Sequence, residues 1–174
     1  LFGLSNHRGP NGRMRILPSA HEGTIIDDSY NSSPAATREA LNTLKKLNVK
    51  GKRIALLGDM LELGRYSPEA HKKAGVQAAG VVDFLVTVGI RAHAIAQAAR
   101  EAGLADEKIV EFETGEAQAA GKHLRTLLEK GDVVLVKGSQ NGVRLERAVR
   151  EIMAEPTRSR EMLVRQESEW LQRA

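Results

Sequence analysis

Short apolar, β-branched runs alternate along the chain with longer segments rich in Ala and Leu. The runs at 24–26, 54–57, 84–88, 109–112 and 133–136 read as strands. Between and after them, 34–47, 68–79, 92–102, 117–129 and 144–154 read as helices. The first of these places Ala36, Ala40, Leu44 and Leu47 on one helical face. Ser33-Pro34 and Ser67-Pro68 each set a capping hydroxyl before a proline at the first helical position, and Pro156 marks the end of the last core helix. Strands alternating with helices of this length predict βαβ units and a parallel sheet. The runs are nearly continuous in apolar residues, as expected when helices cover both faces. The predicted fold is therefore α/β: a doubly wound, mostly parallel, Rossmann-like sheet.

This pattern occupies residues 24–155. Residues 1–23 hold turn-formers, three Arg and little periodicity, and read as a linker from a preceding domain. Residues 156–174 read as a charged, partly helical extension packed by Trp170. A length of 174 residues suits one domain with such an extension. Aromatic residues make up only 3%, so the core must be built from Ala, Val, Leu and Ile. The absence of cysteine excludes a disulfide framework and fits a cytoplasmic protein. No apolar run approaches the length of a membrane span, and the start lacks both Met and a signal-peptide pattern, as if taken from the middle of a longer chain. The net charge of +4 is mild, and the basic residues are interleaved with acids, which argues against nucleic acid as a partner.

In open α/β sheets, ligands sit beyond the carboxyl ends of the strands. Asp27, Asp28, Ser29, Tyr30 and Asn31 follow the first strand, Gly58 and Asp59 the second, and Lys137, Gly138 and Ser139 the last. Carboxylates there can accept from sugar hydroxyls, a Lys can pair with an anion, and Gly admits a ligand to the backbone. Glu62 reads as part of a solvated turn and His71 as a helix-surface residue. His7, His21, His93 and His123 have no acid or Cys partner at ligand spacing, so no metal site is expected. Asn31-Ser32-Ser33 matches the glycosylation sequon, without a secretory context to support it. The sequence has no triphosphate-cradling P-loop, no dinucleotide fingerprint and no nucleophile elbow, so a free-standing ATPase or dehydrogenase is not supported.

Four segments carry a family resemblance: Gly12-Arg13-Met14-Arg15, IIDDSYNSSPAATREAL at 25–41, KRIALLGDMLELGRYSPEAH at 52–71 and DVVLVKGSQNGVRLERAV at 132–149. Together they resemble the C-terminal domain of the Mur ligases over nearly all of residues 12–153. Within that family the pattern is most similar to the members that add D-alanyl-D-alanine to a UDP-N-acetylmuramoyl-tripeptide. The resemblance implies a cytoplasmic, monomeric enzyme of three domains. ATP phosphorylates the peptide carboxylate, and the dipeptide amine attacks the acyl phosphate. The P-loop, the Mg²⁺ ligands and a modified lysine would lie in a central domain, so no catalytic residue and no metal ligand is assigned within this chain. By the same resemblance, Arg13 would reach toward the phosphates, Asp28 would accept from the ribose, Tyr30 and Asn31 would flank adenine or ribose, and Asp59 would line the same cleft. Lys137 and Ser139 would hold the dipeptide, the Lys pairing with its carboxylate. Asp28→Ala would then raise the KM for ATP without unfolding the domain. One departure is visible: Gln140 stands where the family usually has Arg, and Arg144, a turn further on, is a partial substitute. A sister ligase with another amino acid or a folate-like substrate, or a non-catalytic Rossmann-like module, would share many of these features.

Overall fold

The computed structural model describes residues 9–140 and 142–172. His7, with the rest of the first eight residues of the expected linker, and the last two residues of the tail lie outside that range. The strands β1 (Arg15–Pro18), β2 (Thr24–Asp28), β3 (Arg53–Gly58), β4 (Phe84–Val88), β5 (Ile109–Phe112) and β6 (Val133–Lys137) form one sheet in the order β1-β2-β6-β3-β4-β5. All neighbours run parallel except β1, which pairs antiparallel with β2.

The alternation of side chains along each strand builds two cores. Ile25, Ile54, Leu56, Val134 and Val136 point to one face. They meet Ala120 and Leu124 of α4 (Ala117–Leu127) and Ala148, Val149 and Ile152 of α5 (Glu146–Ile152). Ile26, Ala55, Leu57, Val133 and Leu135 point to the other. There they meet α1 (Pro34–Lys46), α2 (Ser67–Ala79) and α3 (His93–Glu101) through residues such as Leu41, Leu44, Ala74, Ala78, Ile95 and Ala99. Parallel strands require crossover connections, and α1 to α4 supply them, while α5 follows the last strand. The doubly wound sheet read from the sequence is the one observed.

Three local readings change. Residues 15–18, inside the stretch read as a linker, form β1, whose register sets Arg15 opposite Asp27 and Pro18 opposite Thr24. Pro18 is tolerated because the strand lies at the sheet edge. Ser33 caps α1 as expected, accepting from the Ala36 amide at 3.3 Å. Ser67 does not cap α2: a 3₁₀ turn at Gly64–Tyr66 runs straight into the helix, so Ser67 is already its first residue. Finally, α5 ends at Ile152, and Pro156 opens a new 3₁₀ turn instead of stopping the helix. After it come two short helices, α6 (Ser159–Met162) and α7 (Ser168–Leu171).

Candidate functional site

The strand order reverses beside β6. The chain leaves β2 and β3 toward the α1–α3 face, but leaves β6 toward α5 on the opposite face. The loops after β2, β6 and β3 therefore diverge and open a crevice at their carboxyl ends, the position where open α/β sheets bind ligands. A cavity of about 460 Å³ lies there, bounded by Arg13, Asp28, Tyr30, Asn31 and Lys137, with α1 as its wall through Ala36, Glu39 and Thr43. Its size suits a nucleoside-sized ligand.

The edge strand delivers the first part of this lining. Gly12, at φ 68°, turns the chain into β1, and its carbonyl accepts from the Tyr30 amide at 2.9 Å. A Cβ at Gly12 would stand 3.0 Å from that same nitrogen, so only glycine permits the approach. The Met14 amide then donates to Asp28 Oδ1 at 3.1 Å. The same turn sets the Arg13 guanidinium 4.3 Å from the centre of the Tyr30 ring, within cation–π range. Tyr30 is 37% exposed, so this pair presents a flat, cationic and aromatic surface to the cavity.

Lys137 closes the floor. It is only 2% exposed, and its Nζ donates to Asp28 Oδ2 at 2.6 Å and to the Asn31 carbonyl at 3.0 Å. A buried charge requires such partners. The ammonium is committed to Asp28 and lines the same cavity as Arg13, away from Ser139. Asp28 spends one acceptor on each partner and keeps lone pairs for hydroxyl donors.

Ser139 faces a second, smaller cavity of about 220 Å³ with Leu61, Glu62, Leu63 and Gln140, separated from the first by Asn31–Ser33, which line both. Its Oγ accepts from the Leu61 amide at 2.9 Å, tying the β6 loop to the β3 loop. Glu62 is exposed, as read from the sequence, but holds a φ of 64°.

Asp59 joins neither cavity. It is buried and accepts from the Ala92 amide at 2.8 Å, with Arg91 at 3.4 Å, so it secures the start of α3. Gly89 makes room for it: a Cβ there would fall 2.5 Å from Asp59 Oδ1. Arg144 is likewise not available to replace the charge missing at Gln140, because it is buried against Glu146 at 2.5 Å. His71 is not on the surface. It is fully buried, accepting at Nε2 from the Met60 amide at 3.0 Å and facing the Ser67 carbonyl through Nδ1 at 2.7 Å, which fixes the Nδ1–H tautomer and shapes the loop after β3.

Sequence reading missed Asp27 as a distinct group. It is wholly buried on the α5 side of β2, where burial pushes its carboxyl up to about 6, against a hydrogen bond from Ser29 that lowers it. Its Oδ2 and Ser29 Oγ have no partner among the described residues. Period-2 alternation along β2 would have separated Asp27 from Asp28. Among the described residues no group of three or more His, Cys, Asp or Glu stands together as a metal site, and no helix is long and apolar enough to cross a membrane.

A mostly parallel sheet whose cavity lies at the reversal of strand order, lined by an Asp–Lys pair and an Arg–Tyr pair, places the chain among the doubly wound α/β domains with a polar crevice at the strand ends. The family comparison makes this specific: residues 12–140 match the model of the Mur ligase glutamate ligase domain, and the chain belongs to that family. The UDP-N-acetylmuramoyl-tripeptide–D-alanyl-D-alanine ligase of Bacillus subtilis is 31% identical over 155 residues, covering 88% of this chain and 33% of its own. That of Escherichia coli is 30% identical over 159 residues, covering 89% and 32%. The MurF ligase of Thermotoga maritima, solved in complex with ADP, superimposes with a TM-score of 0.67 at 30% identity, over 86% of this chain and 32% of that one. The chain thus spans about a third of the length of the relatives it matches.

Proposed function

We propose that the chain is the nucleotide- and acceptor-facing domain of a cytoplasmic, monomeric, ATP-dependent ligase of peptidoglycan synthesis, joining D-alanyl-D-alanine to a UDP-N-acetylmuramoyl-tripeptide. The observation that carries this reading is the cavity at the strand-order reversal, where Arg13, Asp28, Tyr30 and Lys137 converge in a chain whose relatives bear that activity. In this reading Asp28 accepts from the ribose hydroxyls, Tyr30 and Arg13 form the platform for the base and lead toward the phosphates, and Asn31 forms the rim. The smaller cavity with Ser139 takes the dipeptide. The chemistry is phosphorylation of the peptide carboxylate by ATP. The dipeptide amine then attacks the acyl carbon, the C–O bond to phosphate breaks, and inorganic phosphate leaves. The P-loop and the Mg²⁺ ligands belong to another domain of the whole enzyme. What this domain contributes is orientation and exclusion of water, which supply much of the rate in such transfers.

The test is phosphate release by the whole enzyme with the tripeptide precursor and a panel of acceptors. D-Alanyl-D-alanine alone should support turnover. Turnover with a single amino acid or a glutamate tail instead would assign a sister ligase. Arg13→Ala and Tyr30→Ala alter exposed side chains and leave the core intact. Each should raise the KM for ATP by about tenfold, the scale of a desolvated cation–π contact of ~1–2 kcal/mol, with little change in kcat.

A further inference from the structure

The loop that carries Tyr30 and Asn31 is held by cations from two sides. Lys137 takes the Asn31 carbonyl from the cavity side. From behind, Arg165 donates to the carbonyls of Ser29, at 3.4 Å, and Tyr30. Arg165 belongs to the segment between α6 and α7, which sequence reading treated as an extension of no assigned role. Its guanidinium also pairs with Glu146 at 3.1 Å and lies 5.5 Å from the centre of the Tyr30 ring.

Glu146, the first residue of α5, is 1% exposed and bridges two arginines: Arg165 through Oε2 and Arg144 through Oε1. Arg144 in turn donates to the Trp170 carbonyl at 3.1 Å and lies 5.3 Å from that ring. All three charged groups are buried, and both arginines sit at positive φ, 48° for Arg144 and 56° for Arg165. Desolvating an ion cluster and holding two non-glycine residues in the left-handed region are poor ways to gain stability. What such a cluster supplies is a fixed geometry, and its outward-facing acceptors are the carbonyls of the site loop.

We propose that Arg165 is a positioning residue for the nucleotide-facing loop, braced by Glu146 and fixing the backbone that presents Tyr30 and Asn31. The inference rests on the ligase reading only for the identity of the ligand.

Two measurements test it separately. The first is amide hydrogen exchange in the 174-residue chain, comparing wild type with Arg165→Met. Loss of a charge-assisted hydrogen bond should speed exchange of the Tyr30 amide by about tenfold while β3 amides keep their rates. The second is steady-state kinetics of the whole enzyme, where the KM for ATP should rise by about tenfold and kcat by contrast should change less than about threefold. The chain has a single Trp, so Trp170 fluorescence reports independently whether the tail has detached. A shifted fluorescence with unchanged Tyr30 exchange and unchanged KM reduces Arg165 to a tail anchor and overturns the proposal. If Arg165→Met does not fold, Arg165→Lys carries the same test, because it keeps a charge opposite Glu146 but cannot bridge both carbonyls. An enzyme with no ATP-dependent activity would refute the ligase reading, while Tyr30 exchange would still decide the role of Arg165.

Discussion

Two adjacent carboxylates on β2 have opposite fates because the strand turns them to opposite faces. Asp28 is paired with a buried ammonium, so removing it has a structural cost that the sequence does not show. Asp28→Ala would leave Lys137 buried without its partner, at about 3–5 kcal/mol for breaking such a pair. In the ligase reading, Asp28→Ala therefore combines a raised KM for ATP with a loss of stability. Asp28→Ala with Lys137→Met should recover most of the loss, and urea unfolding of the single and double variants checks this. Asp27 has the reverse character. Its folded value of about 6 exceeds the ordinary 3.8, so the native state binds this proton more tightly than the unfolded chain does. The favourable contribution is complete below 3.8 and is lost as the pH rises through 6. Above that, the desolvated, ionised carboxyl, repelled in addition by the charges of Asp28 and Glu146, costs about 3 kcal/mol, taking ~1.4 kcal/mol per pH unit. Asp27→Asn should thus stabilise the chain at pH 7.5 but not at pH near 4, the two midpoints in urea converging on acidification. Stability curves that run parallel for the two proteins would remove Asp27 as the cause.

At the level of elements, what the sequence displays are the repeating ones. Strands β2 to β6 and helices α1 to α4 announce themselves through period and apolar content, because packing on a two-sided sheet demands both. Strand β1 does not. Four residues at an edge, with Arg15 and Pro18 at its ends, show neither alternation nor an apolar run. The signal present was the pair Ile16-Leu17 between turn-formers, which is weak until β2 is there to accept it. The strand order is hidden for a related reason: β6 inserts between β2 and β3 only because α4 crosses back under the sheet, and nothing local encodes that. The strand-end residues were readable as a set, yet the partners of Asp59 and Lys137 were not, because they lie far along the chain, 33 residues to Ala92 and 109 to Asp28. His71 shows how α2 shapes a loop it does not belong to. Its Nε2 accepts from the Met60 amide, in the turn that leads to Leu61 and Ser139. His71→Ala should cost about 1–3 kcal/mol through an unsatisfied buried N–H. It should also broaden the amide resonances of 60–63, whereas a variant with a sharp, unshifted loop would show that the helix alone holds it.

For the whole molecule, the consequence of the strand reversal is two neighbouring cavities with different chemistry. One combines a guanidinium, an aromatic ring and an Asp–Lys pair, while the other is a smaller recess of Leu61, Leu63, Ser139 and Gln140 behind the Asn31–Ser33 turn. In the ligase reading such a division would let nucleotide and acceptor sit together on one edge of one sheet, with the Asn31–Ser33 turn lining both subsites. The chain titrated separately with ATP and with D-alanyl-D-alanine should then show two patterns of amide shifts. The nucleotide should move residues 12–14 and 28–31, and the dipeptide 61–63 and 139–140, with 31–33 responding to each. Binding of either is expected to be weak, in the ~millimolar range, because the groups that would hold the phosphates in the ligase reading are outside this domain; at ~4 kcal/mol such affinity needs only a few polar contacts. If both ligands moved one common set of residues, the division into two subsites would be wrong, and Ser139 would have to be reassigned to the nucleotide.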